Sequence, residues 1–234
     1  MESSASFAAR ATLRLRFAQN DRVSDRSYDT AMTKPRPAAR KKRIRDPEAM
    51  RRRLLDVAAE RFQSHGYHST SMHDIRRIAG ATGGAIYHHF PSKKALGLAV
   101  IHERVAQAVE ETWIEPVKSA RMTRDGILAV FDLLIAALGQ REAVLGCPLN
   151  NLALELSLAD PEFQIAVQEV FETWRIAIVQ KLRADKRRGL LRNVEPEGFA
   201  TFVVASLSGA MALAKANQNP KALRTCARQL ARIM

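Results

Sequence analysis

The sequence has 234 residues, which is enough to bury a hydrophobic core without disulfide or metal staples. Its formal net charge of +13 favours a polyanionic partner such as nucleic acid or an anionic membrane surface. Cys147 and Cys226 are far apart and form no C-x-x-C pattern, which disfavours a disulfide scaffold and favours a reducing, cytoplasmic compartment. No apolar run is uninterrupted over the roughly 18 residues that span a bilayer, so we do not expect a membrane protein.

Residues 1–45 carry most of the charge imbalance, with 12 Lys/Arg against 4 Asp/Glu. They include the run "KPRPAARKKR" and show no sustained apolar periodicity, so we expect a disordered, basic N-terminal extension. Such an arm can enter the DNA minor groove, or it can simply keep the chain soluble. Met32 is an alternative translation start that would leave out residues 1–31.

From Asp46 onward the apolar pattern is helical and no alternating strand pattern occurs, so the expected fold class is all-α. Asp46 and Pro47 read as the N-cap and first residue of a helix that ends at Gly66. A second helix is expected within "STSMHDIRRIA", and a third over residues 83–89. The inward-facing residues of the second helix are expected to be Met72, Ile75, Ile78 and Ala79. Residues 46–95 are therefore predicted to form a three-helix domain.

Longer helices are predicted next, roughly over residues 92–117, 123–140, 148–158, 161–188, 195–217 and 220–234. Prolines stand at their ends or in their first turns, where a missing N–H costs little. These prolines are Pro116, Pro148, Pro161, Pro196 and Pro220. The pattern predicts a larger helical bundle over residues 96–234.

The stretch from Gly80 to Leu96, "GATGGAIYHHFPSKKAL", has three alternative interpretations. It lacks the G-x-x-x-x-G-K-[ST] and G-x-G-x-x-G orders of phosphate loops, and no buried strand precedes it. His88 and His89 are adjacent and point about 100° apart on a helix, which disfavours a shared metal ion. No metal or cofactor is therefore expected. A helix, a tight turn from Gly80 and a second short helix are typical of a helix-turn-helix.

The two faces of the third helix differ in character. Ile86 and Phe90 are four residues apart and are expected to face the core. The opposite face presents small or polar residues, namely Gly83, Gly84, Tyr87 and His88. Small residues there would let the helix N-terminus approach a nucleic-acid groove closely, and its free N–H groups favour phosphate.

The segment "LLDVAAERFQSHGYHSTSMHDIRRIAGATGGAIYHHFPSKKAL" resembles the N-terminal domain of the TetR family of transcriptional regulators. It matches that family's A-x-x-F, G-Y, T-S and D-I positions, its A-G-x-[ST]-x-G-x-[LI]-Y-x-H-F motif and its SK-x-x-L motif. The resemblance implies that the third helix enters the major groove, with Gly83, Gly84 and His88 near the bases. It also implies phosphate contacts from Thr70, Tyr87, His89 and Lys93.

Arg76 departs from the small residue usual after D-I, and glycines at 83 and 84 supply no side-chain hydrogen bonds. Base reading is therefore assigned to His88 and Arg76, or to arginines of the extension. The full set of expected DNA-contacting residues is Thr70, Ser71, Arg76, Thr82, Gly83, Gly84, Tyr87, His88, His89 and Lys93.

The resemblance also implies that residues 96–234 sense a ligand and dimerise through two helices. One of these helices carries an apolar stripe of Phe163, Val167, Val170, Phe171, Trp174, Ile178 and Leu182. The other, "FATFVVASLSGAMALA", is apolar on nearly all sides and should be buried on all sides. We expect a homodimer that places two reading helices about 34 Å apart on palindromic operator DNA. The alternative is a monomer that uses the stripe only as internal core.

The segment "LGCPLNNLALELS", residues 145–157, is the strongest candidate for sensing. Cys147 stands near a helix N-terminus, where the helix dipole can lower the pKa of a thiol. Asn150, Asn151 and Glu155 are polar groups on an otherwise apolar helix, as an effector pocket requires. Alternatively, Cys147 is a buried small hydrophobe and the asparagines cap helices. Aromatic residues that could line a pocket, or simply form core, are Trp113, Phe131, Phe171 and Trp174.

The expected function is a ligand-responsive DNA-binding transcriptional regulator, a repressor released from its operator by a small-molecule effector. One alternative is a thiol- or electrophile-responsive regulator that uses Cys147. Another, from a different class, is a basic helical protein that binds RNA or acts as a scaffold. The sequence contains no G-x-S-x-G, H-E-x-x-H or S-x-x-K motif, so an enzyme is not expected.

Overall fold

The computed structural model describes residues 46–191 and 193–234 of the chain. The expected N-terminal extension, residues 1–45, lies outside the described residues, so the structure does not test that prediction. Throughout the described ranges the chain forms helices joined by turns, without a strand, which confirms the all-α fold class.

The described ranges contain nine helices. The first three are α1, Pro47–His65, α2, Met72–Ala79, and α3, Gly83–His89. The fourth, α4, runs without a break over residues 93–119 and alternates α-helical with π-helical turns; its segments are Lys93–Val100, Ile101–Val105, Ala106–Val109, Glu110–Ile114 and Glu115–Ser119. The remaining helices are α5, Thr123–Gly139, α6, Pro148–Leu156, α7, Pro161–Arg187, α8, Pro196–Asn217, and α9, Lys221–Ile233.

Side-chain caps explain why the first helices begin where the sequence predicts. A side-chain oxygen just before each helix accepts a hydrogen bond from a backbone N–H of its first turn, which satisfies a donor that has no partner inside the helix. The pairs are Asp46 with Ala49, Ser71 with Asp74, Thr82 with Ala85 and Ser92 with Ala95. These bonds connect residues three positions apart, so the sequence alone is enough to predict them.

The first three helices and the start of α4 enclose a small core, and α4 continues into the larger bundle. Leu54, Leu55, Ile75 and Ile86 are almost completely buried in the first part. The predicted boundary between residues 95 and 96 falls inside α4, and the division into two domains therefore remains a proposal. Ile78 was expected to face inward, but it is 37% exposed, so that prediction is wrong. At α2 only Ile75 and Ala79 are fully buried, because α2 has just eight residues and packs through one narrow face.

Helices α7 and α8 form an antiparallel pair in the bundle, with α9 packed against α8. The α7 stripe that was expected to serve dimerisation instead faces the protomer's own core, since Phe163, Trp174 and Leu182 are all at most 3% exposed. Helix α8, which was expected to be buried on all sides once a dimer partner is included, keeps one exposed apolar face in the single protomer, with Phe202 and Leu213 on it. The tertiary structure therefore assigns the two stripes differently from the sequence pattern.

Length and composition would allow α8 to cross a membrane, contrary to the expectation that every apolar run is too short. About a third of its most apolar 18-residue window, 33%, is buried inside the protein. Its buried residues include Ala200, Val203, Leu207 and Ala214. Helix α8 packs against α7 and α9, as a core helix does, and leaves one face uncovered.

Candidate DNA-binding site

Helices α2 and α3 are joined by a tight turn of the helix-turn-helix type. Gly80 adopts a left-handed conformation with φ +66° and ψ +28°, which an L side chain rarely adopts. The N–H of Gly80 donates to the Arg77 carbonyl at 3.2 Å, and that of Ala81 donates to the Arg76 carbonyl at 3.0 Å. Thr82 then caps α3, so the turn takes only three residues.

Helix α3 is anchored by Ile86 and Phe90, which are 1% and 3% exposed, as predicted. Its opposite face is open: Gly83, Gly84 and His88 are exposed, and Tyr87 is 57% exposed. A Cβ added at Gly83 or Gly84 would meet no atom of the described part of the chain within 4 Å. The helix therefore presents a bare N-terminal backbone followed by two aromatic side chains, which is the shape that a groove-reading helix requires.

Thr70 does not lie on this surface. It is only 3% exposed, and its hydroxyl donates to the Gly66 carbonyl at 2.8 Å. The expectation that its side chain contacts phosphate is therefore wrong for this conformation, because the hydroxyl already closes the turn after α1. Ser71 and Thr82 are exposed and hold the N-termini of α2 and α3 with their side-chain oxygens.

The expected phosphate-contacting residues His89 and Lys93 are half-buried, as is Arg76 on α2. The Lys93 ammonium donates to the His68 carbonyl at 3.2 Å and lies 4.4 Å from the centre of the Tyr67 ring. Burial lowers the pKa of Lys93 below its ordinary value, and the nearby Glu155 acts in the opposite direction. Lys93 thus connects the turn after α1 to the surface beside α3.

The three consecutive arginines of α1, residues 51–53, differ in their surroundings. The Arg51 guanidinium pairs with Glu103 of α4, donating to its Oε2 at 2.7 Å, and it lies 5.4 Å from the centre of the Phe90 ring. Its neighbours Arg52 and Arg53 are exposed. Arg104 of α4 pairs with Asp56 at 2.6 Å. These ion pairs hold α1 against α4. Helix α4 is therefore attached to the domain formed by α1, α2 and α3, which we call the reading domain.

Cys147 is half-buried before α6 and packs against the core. Desolvation by the surrounding protein raises the pKa of its thiol, and the backbone N–H groups of Asn150 and Leu149 only partly offset this effect. Desolvation therefore outweighs the helix dipole at this thiol, which favours the alternative that Cys147 is a buried small hydrophobe. A raised pKa disfavours the thiolate and so weakens the thiol-switch alternative.

Asn151 and Glu155, two of the polar residues of α6, make separate contacts outside any shared pocket. The Asn151 amide donates to the Leu145 carbonyl at 2.9 Å and its oxygen accepts from the exposed Lys215 at 3.3 Å, so it fixes the loop before the helix. Glu155, which the sequence suggested as a pocket residue, instead reaches the turn after α1. That contact joins residues 87 and 88 positions apart, and no local pattern signals it.

Three of the four predicted aromatic residues come together in the bundle. Trp113 lies with its ring centroid 5.8 Å from that of Phe131 and 4.9 Å from that of Trp174, and all three are at most 4% exposed. Phe171 is half-buried. The Trp174 Nε1 donor is buried and has no hydrogen-bond partner among the described residues. Such an orphaned donor is costly and uncommon in a native core.

Two open grooves lie elsewhere on the surface of the described chain. One, of about 430 Å³, is lined by Asn193, Val194, Glu195, Gly198, Phe199, Phe202 and Ile233. The other, of about 580 Å³, follows the outer face of α7 and is lined by Ile165, Gln168, Glu169, Glu172, Thr173 and Ile176. Both grooves adjoin the exposed faces of α7 and α8, away from the aromatic cluster.

A helix-turn-helix carried on a long helix that enters a second helical bundle defines a DNA-binding transcriptional regulator. Residues 54–100 match the family model for bacterial regulatory proteins of the tetR family. Residues 123–229 match the model for the C-terminal domain of LmrA/YxaF-like transcriptional regulators. Together the two matches span more than half of the chain. The protein belongs to the TetR family of transcriptional regulators, whose members are not enzymes.

Several transcriptional regulators align with most of this chain. The chain is 24% identical to the HTH-type transcriptional regulator YxaF of Bacillus subtilis (strain 168) over 188 residues, covering 77% of this chain and 92% of that protein. It is 26% identical to the HTH-type transcriptional repressor DhaR of Mycobacterium sp. (strain GP1) over 183 residues, covering 74% and 86%.

Solved structures agree with this assignment. A TetR transcriptional regulator from Chloroflexus aurantiacus J-10-FL superimposes with a TM-score of 0.71 and 29% identity, covering 80% of this chain and 94% of that one. The reduced form of Escherichia coli NemR gives a TM-score of 0.73 at 22% identity, covering 79% and 96%, and supports the fold alone.

Proposed function

We propose that this protein is a repressor that binds palindromic operator DNA as a homodimer and releases it when a small-molecule effector enters the helical bundle. The observation that carries the proposal is the exposed face of α3, where two open glycines precede Tyr87 and His88. In this arrangement the helix N-terminus approaches the major groove, His88 and Arg76 read bases, and Tyr87, His89 and Lys93 position the phosphate backbone. The relative named as a repressor, DhaR, supports the direction of regulation.

The exposed face of α8 supports a dimer. Phe202, Ala205, Gly209, Ala212 and Leu213 are exposed and recur at helical spacing, so they form one apolar stripe with small residues at its centre. An uncovered stripe of this kind is typical of a subunit interface, and small residues permit close approach of two helices. Pairing of α7 and α8 with their symmetry mates would be isologous, as in most homodimers.

The aromatic cluster supports an effector site in the bundle. Trp113, Phe131 and Trp174 provide apolar walls, and Trp174 Nε1, which has no hydrogen-bond partner among the described residues, provides a donor for a ligand acceptor atom. A ligand that spreads these rings would move α4 relative to α7. Because α4 also carries the reading domain, that movement would change the spacing of the two α3 helices in the dimer and weaken operator binding.

The test is selection of duplex DNA from a random pool at fixed salt, with wild-type, Tyr87→Ala and His88→Ala proteins. The proposal predicts that only the wild type enriches a palindrome, because both substitutions remove groups from the α3 face without touching the core. Salt-sensitive binding of equal strength in all three proteins, without an enriched sequence, would contradict it and assign the affinity to basic charge alone. A preference for single-stranded RNA would favour the RNA-binding alternative.

A further inference from the structure

Glu155 at the end of α6 forms a contact between the bundle and the reading domain. Its Oε2 accepts a hydrogen bond from the Tyr67 backbone N–H at 2.9 Å, and its Oε1 accepts one from the His68 backbone N–H at 2.6 Å. Both donors belong to the turn between α1 and α2, residues 66–71. Hydrogen bonds to a carboxylate are roughly twice as strong as neutral ones, so this bidentate contact is firm.

The turn is shaped to receive this carboxylate. Gly66 has φ +86°, a conformation that disfavours any other residue. A Cβ built on Gly66 would lie 3.3 Å from both carboxylate oxygens of Glu155, closer than an ordinary contact. The backbone therefore passes directly over the carboxylate, and the two N–H groups point into it.

The turn also contacts the surface that faces DNA. The His68 carbonyl accepts from the Lys93 ammonium at 3.2 Å, so a single residue of the turn, His68, lies between Glu155 and an expected phosphate contact. Tyr67 packs edge-on against Phe163 at the start of α7, with 5.2 Å between ring centroids. A shift of the turn would therefore reach Lys93 through one hydrogen bond.

Glu155 ends a segment that begins at Gly146, and the Gly146 end of this segment contacts α1. The Gln63 side-chain amide donates to the Gly146 carbonyl at 3.2 Å, one residue before Cys147. By contrast, the ion pairs Arg51 with Glu103 and Arg104 with Asp56 join α1 to α4, which moves with the reading domain. The Gly146–Glu155 segment thus connects the bundle to α1 and its following turn directly, without passing through α4.

We propose that Glu155 is a positioning residue that couples α6 to the orientation of the reading helix. This inference rests on the proposed function, since it concerns how that function is regulated. Displacement of α6 pulls on the Tyr67 and His68 amides and thereby moves the turn and Lys93. Because coupling between two sites is reciprocal, operator binding must in turn change the conformational stability of α6.

Hydrogen exchange monitored by mass spectrometry tests both steps in the full-length protein. The variants are Glu155→Ala, Glu155→Gln, which keeps the volume but loses the charge, and the control Glu142→Gln, which makes the same charge change at an exposed loop position. Without DNA, we expect the peptide covering residues 66–71 to exchange about tenfold to a hundredfold faster in Glu155→Ala, as loss of hydrogen bonds to a charged group implies. Glu142→Gln should match the wild type.

With the selected operator, we expect the exchange of α6 to change by about fivefold or more in the wild type, and this response should be absent in Glu155→Ala while operator binding persists. Glu155→Gln should show a partial response, and it provides the test if Glu155→Ala does not fold. If Glu155 has only a structural role, the variants lose thermal stability but α6 still responds fully to operator, and the inference fails. It also fails if α6 does not respond in the wild type. Failure of the proposed function is distinguishable, because the wild type then binds no selected duplex in the first place.

Discussion

Substitution of Gly84 by alanine should raise stability and weaken operator binding at the same time. Gly84 lies in the first turn of α3 with a helical backbone, and a Cβ there meets no atom of residues 46–191 and 193–234 within 4 Å, so alanine fits without strain. Replacing a helical glycine by alanine stabilises by about 0.5–1 kcal/mol, mainly because the unfolded chain loses conformational freedom. For a chain of this size, that corresponds to an increase in melting temperature of about 1–4 °C.

The same methyl group would project from the bare helix end that is proposed to lie against DNA. Forcing a methyl group into a tightly packed contact costs about 1–3 kcal/mol, which corresponds to an increase in Kd of about fivefold to a hundredfold or more. Fluorescence anisotropy with the selected palindrome at fixed salt measures this change, and thermal unfolding measures stability. Gly139→Ala is the matched control, because Gly139 is also helical and open but lies at the far end of α5. If Gly84→Ala were more stable and bound operator as tightly as the wild type, α3 would not enter the groove by its N-terminus.

Three further predictions concern the bundle and its junction with the reading domain. Phe202→Glu should convert the dimer to a monomer in light scattering, because it places a charge in the exposed α8 stripe, whereas Leu158→Glu, at a fully exposed position off that stripe, should leave the mass unchanged. Gly97→Ala should lower the free energy of unfolding by about 1–3 kcal/mol, since its Cβ would lie 2.8 Å from the Tyr67 ring and 2.9 Å from the Phe163 ring; an unchanged melting temperature would contradict this packing. Asp185→Asn should cost about 3 kcal/mol at pH 7, because Lys181, 10% exposed, loses the charge partner that it holds at 3.2 Å. Burial alone would raise the pKa of Asp185, but hydrogen bonds from Thr123 and Lys181 hold this pKa below the ordinary aspartate value of about 3.9. The stability that ionised Asp185 contributes is therefore complete above about pH 3.9 and is lost as the pH falls through the lowered pKa. In urea titrations, the Asp185→Asn variant should lack this acid-dependent loss of stability.

The sequence by itself determined the helices, the turn and the reading face. Asp46, Ser71, Thr82 and Ser92 each cap a helix through a bond to a residue three positions away, and Gly80 supplies the left-handed turn. Such signals are local, because capping and backbone conformation depend on neighbours in the chain. The spacing of Ile86 and Phe90 likewise fixed which side of α3 is buried and left Tyr87 and His88 outside.

Only the tertiary structure decided which apolar stripe is covered and what each polar group contacts. The pattern of α7 did not reveal that its stripe faces the protomer core, and the pattern of α8 did not reveal which of its faces the protomer itself leaves uncovered, because periodicity shows that a face is apolar but not what covers it. Thr70 was misjudged because burial and a hydrogen bond to Gly66 occupy its hydroxyl, and at Cys147 burial favours the small hydrophobe over the reactive thiol among the two alternatives. The partner of Glu155 is set by the packing of α6 against α1, which brings together residues far apart in the chain.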